Sequence, residues 1–166
     1  MVLDKEFVKG HPNFLTTISR FSQETWYKGK GATDDIVNLV RTNGKSYGGF
    51  VERLVRDYLD LDPPISTEHD AMWCSFKLEI KAPRYNARGN FFIQHLKETH
   101  DFDMILVALL EPDGSYSLYM ISKRLALVYS QEQRGEGRIL QGDEIIRHGC
   151  KIYDSSDLRR YIAQNF

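Results

Sequence analysis

The chain has 166 residues, a formal net charge of −1, 42% hydrophobic residues and 27% charged residues, an ordinary composition for one globular domain that buries roughly 70% of its unfolded surface. The near-neutral balance does not announce a nucleic-acid binder, so any basic surface has to be local. No apolar run approaches the roughly 18 residues of a membrane span, the opening Met1 to Glu6 is charged at once rather than signal-like, and Cys74 and Cys150 lack metal-ligand spacing, which together predict an intracellular, cytoplasmic, reduced protein with no membrane partner.

In chain order, residues 1–43 carry short apolar clusters, with Phe14, Ile18 and Phe21 at helical spacing. Lys28 and Lys30 stand in a Gly-Lys loop, and Thr33 is placed to cap a helix from Asp34 to Arg41 with acids in its first turn. This segment reads either as a subunit-contact or DNA-embracing arm or as a flanking helical layer. A second helix is predicted from the Asn43-Gly44-Lys45-Ser46 start through Asp60. Val51, Leu54, Val55, Tyr58 and Leu59 form its apolar stripe. Gly44-Lys45-Ser46 is not a phosphate-binding loop, because Leu39 occupies the position of the required first glycine. Pro63-Pro64 ends the helix region.

Residues 76–82 alternate. Phe76, Leu78, Ile80 and Ala82 point one way; Lys77, Glu79 and Lys81 point the other. Glu79 and Lys81 therefore lie on one polar face, roughly 6.5–7 Å apart along the strand. With Asp70 at the bend of an adjoining strand, its carboxylate and that of Glu79 converge on one hard cation, which takes oxygen ligands. The polar stretch Pro83 to Asn90 follows directly. Its Arg84, Asn86, Arg88 and Asn90 are residue types that read base edges or hold phosphates, or they belong to an ordinary loop.

Further on, Phe91 to Thr99 is predicted as a short helix, with His95 and His100 too far apart for one face. Asp103 to Leu110 is continuously apolar, the pattern of a central strand covered on both faces. A Pro-Asp-Gly turn leads into an antiparallel strand from Tyr116 to Ile121. Ser122 caps a short helix. Residues Gln131 to Gly142, with Arg134 and Arg138, read as a mobile loop and a second DNA-facing element. Ile145 to Tyr153 reads as a late strand or hairpin. A final helix starts near Asp157 under Ser155 or Ser156. The sum is a mixed α+β fold, a central mixed sheet flanked by helices.

Asp70, an eight-residue gap and then Glu79-Ile80-Lys81 resemble the active site of the PD-(D/E)xK nucleases, with His69 where proline often precedes the aspartate. The likeness covers roughly residues 44 to 130. The closing His148-Gly149-Cys150-Lys151-Ile152-Tyr153 resembles the small homodimeric PvuII-type restriction endonucleases. The resemblance implies a restriction-endonuclease-like core. It also implies a magnesium site, with manganese able to substitute, built from Asp70, Glu79 and the carbonyl of Ile80. Glu52 would add support from the first core helix, unless it is a surface glutamate paired with Arg56. Lys81 would orient or deprotonate the attacking water. The implied activity is site-specific hydrolysis of double-stranded DNA by a homodimer, leaving 5′-phosphates. A structure-selective junction or repair nuclease is the near alternative. A non-catalytic DNA-binding module, in which Glu79 and Lys81 are only a strand-face ion pair, is the distant one.

Overall fold

A computed structural model describes residues 23–166. The predicted helical spacing of Phe14, Ile18 and Phe21 lies outside them. Residues 23–29 are helical (α1), followed by α2 (Asp34–Arg41) and α3 (Gly44–Leu59). Both helices begin and end where the sequence signals do. Asp34 and Asp35 sit in the first turn of α2 and Arg41 in its last, each favourable to the helix dipole. Thr33 occupies the N-cap position without a side-chain capping bond, whereas Asn43 caps α3 by accepting from the Ser46 amide at 3.0 Å. α3 stops on Asp60, which takes a left-handed conformation.

The main sheet has five strands in the order β1 (Ala71–Trp73), β2 (Phe76–Lys81), β4 (Met104–Leu110), β5 (Tyr116–Ser122) and β8 (Cys150–Ile152). β2 and β4 run parallel; the other neighbours are antiparallel. All seven residues of β4 are buried, as its unbroken apolar run requires of a strand covered on both faces. β3 (Phe92–Leu96), β7 (Gly137–Gln141) and β6 (Gln131–Gln133) form a separate three-stranded sheet.

The molecule has three layers. On one face of the main sheet, Leu78, Ile80, Leu106, Leu110 and Leu118 pack against Val51, Val55 and Leu59 of α3 and Leu158 and Ile162 of α6 (Ser155–Asn165). On the other face, Ile105, Val107, Leu109 and Ile121 pack against Ile93 and Leu96 of β3, Leu140 of β7, Ala126 of α4 (Lys123–Tyr129) and Ile145 of α5 (Gly142–His148). The fold is therefore the expected mixed α+β sheet between helices, with a small second sheet in one outer layer. Among the described residues, no helix is long and apolar enough to cross a membrane.

Four local expectations are corrected. Residues 91–99 do not form a helix. Phe91, Ile93 and Leu96 are buried while Phe92 and His95 are exposed, an alternation interrupted by a bulge where His95 has φ 58°. That bulge mimics helical spacing in the sequence. The expected loop at residues 131–142 is instead the β6–β7 hairpin over 131–141, whose second strand pairs with β3. Residues 142–148 form a helix, with Asp143 and Glu144 in the first turn and Arg147 and His148 in the last; β8 follows only at Cys150. The last helix starts at Ser155 under Asp154, whose carboxylate accepts from the amides of Ser156 and Asp157. The predicted Ser122 cap is present on α4, accepting from the Leu125 amide.

Candidate active site

β2 alternates as its sequence dictates. Leu78 and Ile80 enter the core beneath α3, leaving Lys77, Glu79 and Lys81 on the other face. β1 covers only the first half of β2, pairing Ala71, Met72 and Trp73 with Leu78, Lys77 and Phe76. The chain leaves that edge at Asp70. Its amide still donates to the Leu78 carbonyl at 2.9 Å, and its carboxylate Oδ2 accepts from the Ile80 amide at 2.7 Å. The side chain of Asp70 thus takes over the hydrogen bond that a longer β1 would have made. Extending the register by one residue sets Asp70 opposite Glu79, the cross-strand position where two side chains share a face.

Glu79 is answered by Lys81, Nζ to Oε1 at 2.6 Å. Glu52, half-buried on α3, joins the same group. Burial, then the charge of Asp70, raises its carboxyl above the usual carboxylate range, with Arg56 acting in the opposite direction. Asp70 is raised for the same kind of reason, burial first and the nearby Glu79 second; the Ile80 amide, Lys81 and His69 hold it back. Three carboxylates therefore share one neighbourhood with a single close ammonium, and two of them are strained as anions. The predicted pairing of Glu52 with Arg56 is only one of the influences on it.

A cleft of about 480 Å³ opens here. α3 forms one wall with Gly44, Lys45, Gly48 and Glu52; Ile80 to Pro83 form the floor; Phe92 to His95 of β3 form the other wall. Carboxylate and carbonyl oxygens are the donor type a hard divalent cation takes, and Asp70, Glu79, Glu52 and the Ile80 carbonyl are the groups here that could supply them. Among the described residues, no three acidic, histidine or cysteine side chains are gathered tightly enough to hold an ion as they stand, and Glu79 is turned to Lys81.

The other sequence-predicted contacts separate into two groups. Arg84 is committed to the fold: its Nη1 donates to the carbonyls of Leu39, Val40 and Thr42 at the end of α2, at 3.3, 2.7 and 2.9 Å. Its guanidinium also stacks over Tyr47. Arg138 likewise closes α4, donating to Ser130 Oγ, the Ser130 carbonyl and the Leu127 carbonyl. Asn86 uses its Oδ1 to accept from the amides of Arg88 and Asn90, building the turn rather than facing outward. Arg88, Asn90, Lys28, Lys30 and Arg134 are exposed. Sequence reasoning missed Lys45 and Gln94 as cleft residues. Lys45, Gly48 and Glu52 follow one another at helical spacing, so Lys45 was legible. Gln94 was not, because its strand was read as a helix.

No model of a known protein family matches this chain, and no curated protein matches it.

Proposed function

We propose that this protein is a magnesium-dependent endonuclease that hydrolyses double-stranded DNA at specific sites, acts as a homodimer and leaves 5′-phosphate ends. The observation that carries this reading is the meeting of Asp70, Glu79, Lys81 and Glu52, of which Lys81 and Glu52 line the cleft. The first three are the residues on which the resemblance to PD-(D/E)xK nucleases rests, and they come from an unpaired strand edge and the strand beside it. Asp70, Glu79 and the Ile80 carbonyl would hold the cation, with Glu52 behind them. A bound divalent ion supplies activation of water and neutralisation of charge on phosphorus. Lys81 stands at the mouth of the site, where its ammonium orients the attacking water and balances the negative charge that grows on the phosphate. Glu79 keeps that ammonium in place. Lys45 lines the cleft, and the exposed Arg88, Asn90, Lys28, Lys30 and Arg134 would supply the further positive and hydrogen-bonding groups that a chain of net charge −1 needs for DNA.

One observation favours the second reading, a non-catalytic DNA-binding module. Glu79 and Lys81 are already bonded to each other, as a plain strand-face ion pair would be. Plasmid DNA of known sequence, incubated with and without magnesium beside Lys81→Ala and Asp70→Ala, separates the two. A discrete magnesium-dependent band pattern, lost in both variants while circular dichroism and DNA retention persist, supports the endonuclease. Cutting confined to branched or nicked DNA supports the structure-selective alternative. Retention of DNA without hydrolysis at any magnesium or manganese concentration establishes the module.

A further inference from the structure

Asp70 stands where the chain joins the edge of the main sheet, so its position is set from two sides. On the C-terminal side, β1 and the bond from the Asp70 amide to the Leu78 carbonyl hold it to β2. On the N-terminal side lies a loop in which every residue from 62 to 68 is exposed. Ordering such a stretch costs backbone entropy that exposed side chains do little to offset. His69 is the contrast, only 3% exposed, and its ring turns back onto the loop. Nε2 accepts from the Ile65 amide at 3.3 Å, and Nδ1 lies 3.1 Å from Ser66 Oγ. An imidazole that accepts at Nε2 carries its proton on Nδ1, so Nδ1 donates to Ser66. Ser66 Oγ accepts in turn from the Glu68 amide at 3.2 Å. Both ring nitrogens are thus used inside the loop, and neither is left for a substrate.

The residue before the aspartate is often proline in the nucleases that this site resembles, and proline fixes its own φ covalently. His69 has no such ring in its backbone. We propose that His69 is a positioning residue for Asp70: its buried ring anchors the loop before Asp70 and so fixes the backbone from which the Asp70 carboxylate reaches the Ile80 amide. The restraint that proline would supply through its ring is supplied here by two hydrogen bonds and burial. What the positioned carboxylate then does rests on the nuclease reading; the positioning itself does not.

The Ile80 amide donates to Asp70 Oδ2 at 2.7 Å, so its hydrogen exchange reports the place of that carboxylate without metal, DNA or turnover. Exchange of the full chain is read by NMR at one pH for the parent, Asp70→Ala, His69→Ala, His69→Gln and Ser66→Ala. Amides of the buried strand β4 correct for global opening. Asp70→Ala sets the rate of an Ile80 amide that has lost its acceptor. In His69→Ala the corrected Ile80 rate is expected to rise about tenfold, as a bond to a charged acceptor comes undone. His69→Gln, whose amide oxygen can accept from Ile65 in place of Nε2, should stay within about threefold of the parent. Ser66→Ala alters only an exposed side chain and should raise the rate about threefold, the effect of removing one partner of the ring; it carries the test if His69→Ala does not fold. Parental Ile80 rates in Ser66→Ala and in a folded His69→Ala, or a His69→Gln rate equal to that of His69→Ala, overturn the positioning role and leave the nuclease reading standing. Undiminished plasmid cleavage by Asp70→Ala overturns the nuclease reading, while faster Ile80 exchange in His69→Ala still establishes the positioning.

Discussion

Replacing Tyr27 by Phe removes one oxygen atom from the interior and leaves nearly everything else in place. Tyr27 is fully buried. Its hydroxyl donates to the carbonyl of Leu110, the last residue of β4, at 2.7 Å and accepts from the Tyr85 amide at 3.2 Å. Burial pushes the phenol far above its ordinary pKa, so it stays a donor throughout the usable pH range. The ring contacts with Trp26 and Tyr85 survive in phenylalanine, and no large cavity opens. The loss is therefore two polar groups left without a partner, one fully buried and one half-buried. A buried unsatisfied group costs about 1–3 kcal/mol, so the expected destabilisation is about 2–4 kcal/mol. For a chain of this size that lowers the melting temperature by roughly 4–16 °C. Urea unfolding followed by tryptophan fluorescence measures it, with an unchanged slope expected because the exposed surface is the same in both proteins. A loss under about 0.5 kcal/mol would refute the claim that this hydroxyl ties α1 to the end of β4 and to the chain that follows β2.

Glu52→Gln tests the crowding of carboxylates. Because burial and Asp70 raise the folded-state carboxyl, the folded protein binds that proton more tightly than the unfolded chain. The penalty is absent below the ordinary carboxylate pKa of about 4 and fully present above the folded value. In metal-free buffer, Glu52→Gln should melt higher than the parent at pH 8, with the gap closing as pH falls toward 4 and shrinking when magnesium is added at pH 8. Equal melting curves at pH 8 would remove the argument. Arg84→Lys keeps the charge but loses the flat guanidinium that bridges the end of α2 and stacks on Tyr47. It should cost about 1–2 kcal/mol in urea and leave plasmid binding unchanged; wild-type stability with lost binding would return Arg84 to the DNA surface. Gly89 has φ 76°, and an added Cβ would lie 2.9 Å from Trp26 Nε1. Gly89→Ala should destabilise by about 1–2 kcal/mol from the backbone alone and shift the tryptophan emission; an unperturbed spectrum and stability would show that the 86–90 turn is not seated on Trp26.

Much of the fold was legible because its signals are local. The two-residue period of Phe76–Lys81, the apolar run into Leu110 and the capped amphipathic pattern of α3 each have one economical reading, and the structure has them as read. The spacing from Asp70 to Glu79 was legible for the same reason: a tight turn at Cys74-Ser75 between antiparallel strands leaves the two acids opposite one another. What depended on distant partners was not legible. β3 is a strand because β7 offers it hydrogen bonds from far along the chain, and its bulge at His95 disguised the period. Arg84 and Arg138 looked like DNA contacts because an arginine in a polar stretch is the same residue whether it meets a phosphate or a helix end. Only the packing of α2 and α4 brought the unpaired carbonyls of their last turns within reach. Glu52 shows the converse. On its helix it is one polar residue among several; laying α3 across β2 is what moved it beside Asp70 and turned a surface glutamate into part of a crowded, electron-rich cleft. The sequence by itself determined which strand carries the acids and which way they face. The tertiary structure decided which other polar side chains share that space, because proximity between separate elements is set by core packing and not by any periodicity along the chain.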